Sequence, residues 1–251
     1  LVENTTGESW KFAAVEGHYR KTPFIAEMTF YEIPEEATRI ANFQAGTIDT
    51  FRAAPDTIPL LAEIPGTEFM SQAGVSESGL RLYGQYYIEP AAGEEPLPAY
   101  QPDELPWVSA DPDPDSAEWE RARKIREAMS ISIDRDKIVK ELLHGEGAPL
   151  SMWAWMETQD KTDFVWEYDL DRAKLLMAEG GHPDGFDLVL NPVVRGAAVE
   201  VEACEAVGDM WADLGIKVAL AYEPYGTLRL EFGEKTWKGA CLLYTSDAAD
   251  E

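Results

Sequence analysis

The block from Tyr168 to Tyr222 constrains the fold more than any other part of the chain, because its elements alternate and its punctuation is chemically explicit. Asp169 precedes the apolar-periodic run Leu170 to Glu179, where a carboxylate can accept from the first free N–H groups of a helix, and Gly180-Gly181 ends that run. Pro183-Asp-Gly185 then supplies a turn into a strand over residues 186–191. A long helix follows from about Ala197 to Leu214, Gly215 stops it, and Ile216 to Tyr222 reads as the next strand. Helix, strand, helix, strand is the order of an α/β layer, since parallel neighbours need a crossover of about helix length.

The same grammar extends upstream. Glu118 to Ser132 sets Ile125, Ala128, Met129 and Ser132 on one helical stripe. Asp134 then precedes a second helix, Arg135 to His144, stopped by Gly145 and Gly147 with Pro149 beyond, so that His144 lies where a cation complements the helix dipole. Near the start, the alternation from Ile25 to Ile33 predicts a half-buried strand ended by Pro34. Glu35 to Gln44 predicts a short helix with Ala37, Ile40, Ala41 and Phe43 on or near one face and Gly46 as its stop. Strands over 47–52 and about 66–71, with a helical turn at Pro59 between them, would complete a right-handed parallel unit between Trp10 and Gly74.

Between these blocks, Gly79 to Ile88 reads as a strand carrying the chain from one lobe to another. Glu89 to Glu120 then holds seven prolines and ten acids without a lysine or arginine, a composition that lies extended on a surface. Trp107 and Trp119 are its expected anchors, with a flexible linker as the alternative. The whole chain carries 47 acidic against 21 basic residues, a net charge of -26, which repels phosphate backbones and anionic lipid heads. Its densest basic stretch, Arg121, Arg123, Lys124 and Arg126, is flanked by Glu118, Glu120 and Glu127 at helical spacing and reads as an ion-paired, solvated face. Nucleic acid is therefore excluded as a partner.

No stretch approaches the ~20 consecutive apolar residues of a membrane span. Leu1-Val-Glu-Asn-Thr5 lacks the basic and apolar regions of a signal peptide, so the chain reads as beginning inside a longer protein. The run Cys241 to Glu251 resembles the translation of the transposon-end adapter used to prepare sequencing libraries, and is read as an assembly artefact. Cys204 is then the one natural cysteine.

Catalytic signatures are scarce. The histidines, His18, His144 and His182, are far apart and none forms the i, i+4 pair of a helical metal site. There is no G-x-S-x-G elbow, phosphate loop or G-x-G-x-x-G. Cys204 falls on the helix face shared with Val201, Val207, Gly208 and Trp211, as a buried structural thiol does. Among 47 acids any carboxylate pair is uninformative. No metal and no cofactor are expected.

Aromatic residues and arginines say more. Trp153 and Trp155 alternate after the Gly145–Pro149 loop, so both indoles fall on one side of an extended segment, either over a core or as a flat surface for a ligand. The same two readings apply to Tyr83, Gln85, Tyr86 and Tyr225. Arg195 directly follows a strand in a glycine-containing loop, where α/β sheets place their ligand groups, although a solvent-facing arginine fits equally. The expected ligand-facing set is Arg52, Gln85, Tyr86, Trp153, Trp155, Arg195 and Tyr225, all on loops at strand ends.

Four runs in one order carry a resemblance: Glu35 to Asp49, Ala122 to Val139, Tyr168 to Phe186, and Trp211-Ala-Asp-Leu-Gly-Ile-Lys-Val218. Together they resemble the extracellular solute-binding proteins of family 5, the peptide, oligopeptide and nickel type serving ABC importers, over nearly all of Trp10 to Ala240. The resemblance implies an α/β, two-lobed type II periplasmic-binding-protein fold, truncated at both ends. Residues 1–84 would belong to lobe one, 85–118 to the crossover and acidic excursion, and 119–240 to lobe two, with 241–251 the adapter. It further implies a monomer, periplasmic or lipid-anchored at the cell surface, that closes over a small-molecule or peptide ligand and hands it to an ABC permease. Family members are about twice this length, and the acid that pairs with a peptide's amino terminus in peptide-binding members lies beyond residue 251, so peptide specificity does not carry over. An acidic extracellular hydrolase with paired carboxylates and a sensor-type binding module are the competing expectations.

Overall fold

The computed structural model describes residues 1–21, 23–70, 76–84, 100–150, 167–193, 199–237 and 239–246. They divide into two compact units, Leu1–Phe69 and Met70–Glu251.

The first unit is built on an antiparallel meander of β1 (Glu3–Thr5), β2 (Ser9–Ala13) and β3 (Glu27–Tyr31). The turn joining β1 to β2 places Gly7 at φ 77°, a conformation that costs glycine nothing. Register pairs Trp10 with Phe30 and Phe12 with Met28, so these four side chains share one face, while Lys11, Glu27 and Thr29 share the other. Lys11 and Glu27 form an ion pair at 3.0 Å, and Phe12 meets Phe30 edge to face at 5.7 Å. Helix α1 (Glu36–Gln44) and the short α2 (Ile58–Ala62) follow.

This corrects the expected parallel unit. Residues 47–52 form bends and loop, and 66–70 contain no strand. Only Ile48 and Phe51 are apolar in the first segment; Phe51 packs edge-on against Phe43 of α1 at 5.5 Å, and Pro55 is buried just beyond. The partner of the 27–31 strand lies upstream, where Trp10 and Phe12 alternate around Lys11.

The second unit is a mixed four-stranded sheet in the order β4-β7-β5-β6, comprising β4 (Ser76–Leu82), β5 (Asp187–Pro192), β6 (Lys217–Leu220) and β7 (Ala240–Ser246). β5 runs parallel to both β6 and β7, whereas β4 runs antiparallel to β7. One face is covered by α3 (Ala117–Ile131), α5 (Leu170–Glu179) and α6 (Glu200–Ala212), whose Ile125, Met129, Leu176, Val207 and Trp211 join Leu188 and Leu190 in the main core. Trp211 Nε1 donates to the Met129 carbonyl at 2.9 Å, tying α6 to α3 inside that core. The expected caps are in place: Asp134 accepts from Lys137 N–H and Asp169 from Arg172 N–H, each at 2.9 Å. Gly185 and Gly215, at φ 78° and 79°, bring backbone against backbone at the entrances to β5 and β6, where a Cβ would strike the other chain segment.

Trp107 is 1% exposed; its Nε1 donates to the Tyr83 carbonyl at 2.7 Å, and its own carbonyl accepts from Arg126 Nη1 at 2.6 Å. Trp119 is half-buried under the Arg126 guanidinium. The basic stretch on α3 is ion-paired along the helix, Arg121 with Glu118 and Arg123 with Glu120 and Glu127. Two expectations change. Helix α4 (Arg135–Glu141) stops short of His144, which sits in the following turn at φ 51° instead of completing the helix. The segment after β6 forms a further helix, α7 (Tyr225–Glu234), which enters at Pro224. Cys241 to Ser246, the start of the adapter-like run, lie within β7, with Cys241 and Leu242 buried.

Candidate functional site

The connections of the second sheet reverse direction. From β5 the chain passes through α6 to β6 on one side, and from β6 it passes through α7 to β7 on the opposite side of β5. Such a reversal leaves a crevice outside the carboxyl ends of the strands, where open α/β sheets bind ligands. The carboxyl end of β5 holds Asn191, Pro192 and Val193, all buried.

Side chains alternate across this sheet. Leu190, Ala240 and Leu242 enter the main core, whereas Val193 and Cys241 join Tyr83, Leu228 and Trp237 in a second cluster on the other face. Its centre is aromatic. Tyr83 stacks on Phe232 at 4.7 Å and 9°, and Trp237 stands edge-on to both, at 4.8 and 5.5 Å. These rings are held by their neighbours, as offset-stacked and T-shaped groups are.

Asn191 is the exception in an otherwise apolar strand end. It is 0% exposed, and among the described residues neither its amide nitrogen nor its amide oxygen has a hydrogen-bond partner. Buried polar groups are paired in the great majority of cases, so this carboxamide stands out from its surroundings. Register places it beside Cys241, with Arg81 of β4 opposite Cys241 on the far side.

Both cysteines and one histidine are shaped by burial. Burial pushes the Cys204 and Cys241 thiols up to about 12, so both stay protonated and unreactive near neutral pH. Burial first, and then the Arg121 charge, lower the His182 pKa, and its ring lies edge-on to Phe186. Among the described residues no three His, Cys, Asp or Glu side chains gather as a metal site, and no helix is long and apolar enough to cross a membrane.

Of the expected ligand-facing residues, Arg52 and Tyr225 are described, and they fall in different units. Arg52 is exposed on a loop that α1 fastens: Glu36 Oε1 accepts from the Ala54 N–H and the Thr57 hydroxyl, both at 2.8 Å. Arg39 holds the entry to the same helix by donating to the Ile33 and Pro34 carbonyls at 2.8 and 2.7 Å. Tyr225 is not on a loop. It is the first residue of α7, half-buried against the aromatic cluster, because Pro224 starts a helix there and Leu228 anchors it. Gln85, Tyr86, Trp153, Trp155 and Arg195 lie outside the described residues. Asn191, Phe232 and Trp237 were not anticipated; the one available signal was a lone amide closing the apolar run Leu188-Val-Leu190.

Residues 1–239 match the model of the middle part of the bacterial extracellular solute-binding proteins, family 5. Heme-binding protein A of Haemophilus influenzae is 24% identical over 226 residues, 86% of this chain and 35% of the relative. The dipeptide-binding protein of Escherichia coli is 27% identical over 142 residues, 51% of this chain and 25% of the relative. The crystal structure of the ABC transporter substrate-binding protein CtaP of Listeria monocytogenes superposes with a TM-score of 0.69 at 15% identity, over 97% of this chain and 45% of that one. The chain thus spans about a third of the length of the first of these relatives and under half of the solved structure.

The chain belongs to family 5 of the bacterial extracellular solute-binding proteins. Its α/β architecture is part of the fold of that family. This is a family of extracellular solute-binding proteins.

Proposed function

We propose that this chain is part of the substrate-binding component of an ABC importer, which takes a peptide or another small solute between two lobes and passes it to a membrane permease. The observation that carries the reading is the family match across residues 1–239. The reversal of the second sheet at β5 supports it, since open α/β sheets bind ligands at such a point. The protein would work outside the cytoplasmic membrane, in the periplasm or anchored at the cell surface. Capture follows from hinge closure, driven by whatever contacts the ligand makes in the closed state and lacks in the open one. Arg52, Gln85, Tyr86, Trp153, Trp155, Arg195 and Tyr225 are the proposed ligand-facing residues.

Relatives named for heme and for dipeptides bracket a broad ligand range. A thermal-shift screen of the full-length protein against peptides, oligosaccharides, opines, heme and nickel complexes tests the proposal. A ligand at a hundred times its Kd stabilises the native state by about 2.7 kcal/mol, enough for a shift of several degrees. A rise with one class names the ligand, and no rise with any class would count against transport. Permease and ATPase genes beside the locus would support import over sensing.

A further inference from the structure

We infer that Glu36 is a positioning residue, which fixes the loop from Phe51 to Thr57 so that Arg52 is held out to take a carboxylate of the solute. The inference rests on the role proposed for Arg52 in the transport reading and narrows the ligand to one that carries a carboxylate. The loop is tied on both sides of Arg52. Before it, Phe51 packs edge-on against Phe43 of α1 at 5.5 Å. After it, Glu36 Oε1 accepts from the Ala54 N–H and from the Thr57 hydroxyl, each at 2.8 Å, and Pro55 between them is buried. Arg39 approaches the other oxygen of Glu36 at 3.5 Å while donating to the Ile33 and Pro34 carbonyls. One carboxylate thus joins the entry of α1 to the loop that carries Arg52.

Arg52 is exposed, whereas Phe51, Ala53 and Ala54 around it are half-buried. Among the described residues nothing pairs with its guanidinium. Elsewhere Arg39, Arg121, Arg123, Arg126 and Arg135 are each held by a carboxylate or by backbone carbonyls. In a chain with 47 acidic residues, a guanidinium kept clear of them is available for a carboxylate that arrives from outside, which its planar fork fits with two parallel hydrogen bonds. Anchoring the backbone beneath such a side chain lowers the ordering cost of binding. Glutamine at position 36 would keep an acceptor oxygen for the Ala54 N–H and the Thr57 hydroxyl, and alanine would leave both without it.

The test uses the full-length protein and two probes that carry carboxylates, trialanine and octopine. Calorimetry on the wild type should show binding of at least one of them. Arg52→Ala should weaken that binding by about tenfold or more, the worth of a hydrogen bond to a charged group. Glu36→Ala should weaken it about fivefold, Glu36→Gln should recover most of the loss, and Glu36→Ala should add little once Arg52 is already alanine. A merely structural role would not give this last result, because general loosening would weaken binding by the same factor with or without Arg52. Amide hydrogen exchange supplies a measure that needs no ligand: the Ala54 N–H should exchange about tenfold faster in Glu36→Ala than in the wild type or Glu36→Gln.

Unchanged binding in Arg52→Ala would overturn the inference and leave the transport reading intact. So would binding of heme, an oligosaccharide or a nickel complex by a protein that takes neither trialanine nor octopine. Equal losses from Glu36→Ala with and without Arg52, a Glu36→Gln variant as weak as Glu36→Ala, or an Ala54 amide that exchanges alike in all three proteins would each overturn the positioning role. Silence with every ligand would remove the transport reading as well.

Discussion

The two units treat the same kind of sequence pattern differently. In the second, the apolar side chains of β5, Leu188 and Leu190, are covered by α3, α5 and α6 and are 3% and 0% exposed. In the first, β2 and β3 present Trp10, Phe12, Met28 and Phe30 on one face, yet Met28 and Phe30 remain 43% and 54% exposed. An antiparallel sheet with a clean apolar face is normally covered on that face, and a three-stranded one gains its stability from that covering. Alternation therefore specifies which way side chains point, while burial depends on what else the fold brings. It follows that stability should be concentrated in the second unit.

The largest effect expected from this contrast comes from Trp211→Ala, which empties the main core and removes the hydrogen bond to the Met129 carbonyl. Urea unfolding of the second unit should lose about 3–5 kcal/mol; a loss below ~1 kcal/mol would break the comparison. Gly180→Ala comes next, because its Cβ would lie 2.5 Å from Ile125 Cδ1 where α5 crosses α3. Overpacking of this kind costs roughly 1–3 kcal/mol, readable as a lower denaturation midpoint at unchanged slope. Asp169→Ala removes the cap on Arg172 N–H and should cost about 1 kcal/mol in the same assay. At the small end, Phe30→Ser in the first unit should change stability by less than ~1 kcal/mol while reducing binding of a hydrophobic dye. A loss as large as that of Trp211→Ala would mean that this face is covered after all.

Much of the second unit was legible because its signals are local. Asp134 and Asp169 cap, Gly180-Gly181 and Gly215 stop, and the helical stripe Ile125, Ala128, Met129 meets the core as its spacing requires. The first unit was misread for a physical reason. The 25–33 alternation fits a strand in any sheet, and nothing local says whether its neighbour is parallel and downstream or antiparallel and upstream at Ser9–Ala13. Helix α7 was missed because its turns bury only Leu228, leaving a weak helical stripe. Asn191 was invisible for the opposite reason: its sequence neighbours say only that it closes a strand, and its lack of a partner among the described residues is a three-dimensional fact.

The adapter-like run sharpens the same lesson. Cys241-Leu242 enter a central strand because their alternation suits it, Leu242 facing the main core and Cys241 the aromatic cluster. Sequencing the locus from intact source DNA is expected to return other codons from position 241, still with an apolar residue at 242. The same eleven codons followed by more gene would retire the adapter reading.

A solute-binding protein captures its ligand without converting it. The most direct measurement incubates the full-length protein with the ligand identified by thermal shift, then recovers and weighs that ligand by mass spectrometry. Saturation with the ligand returned unchanged is the predicted result. A product accumulating beyond the amount of protein present would contradict it.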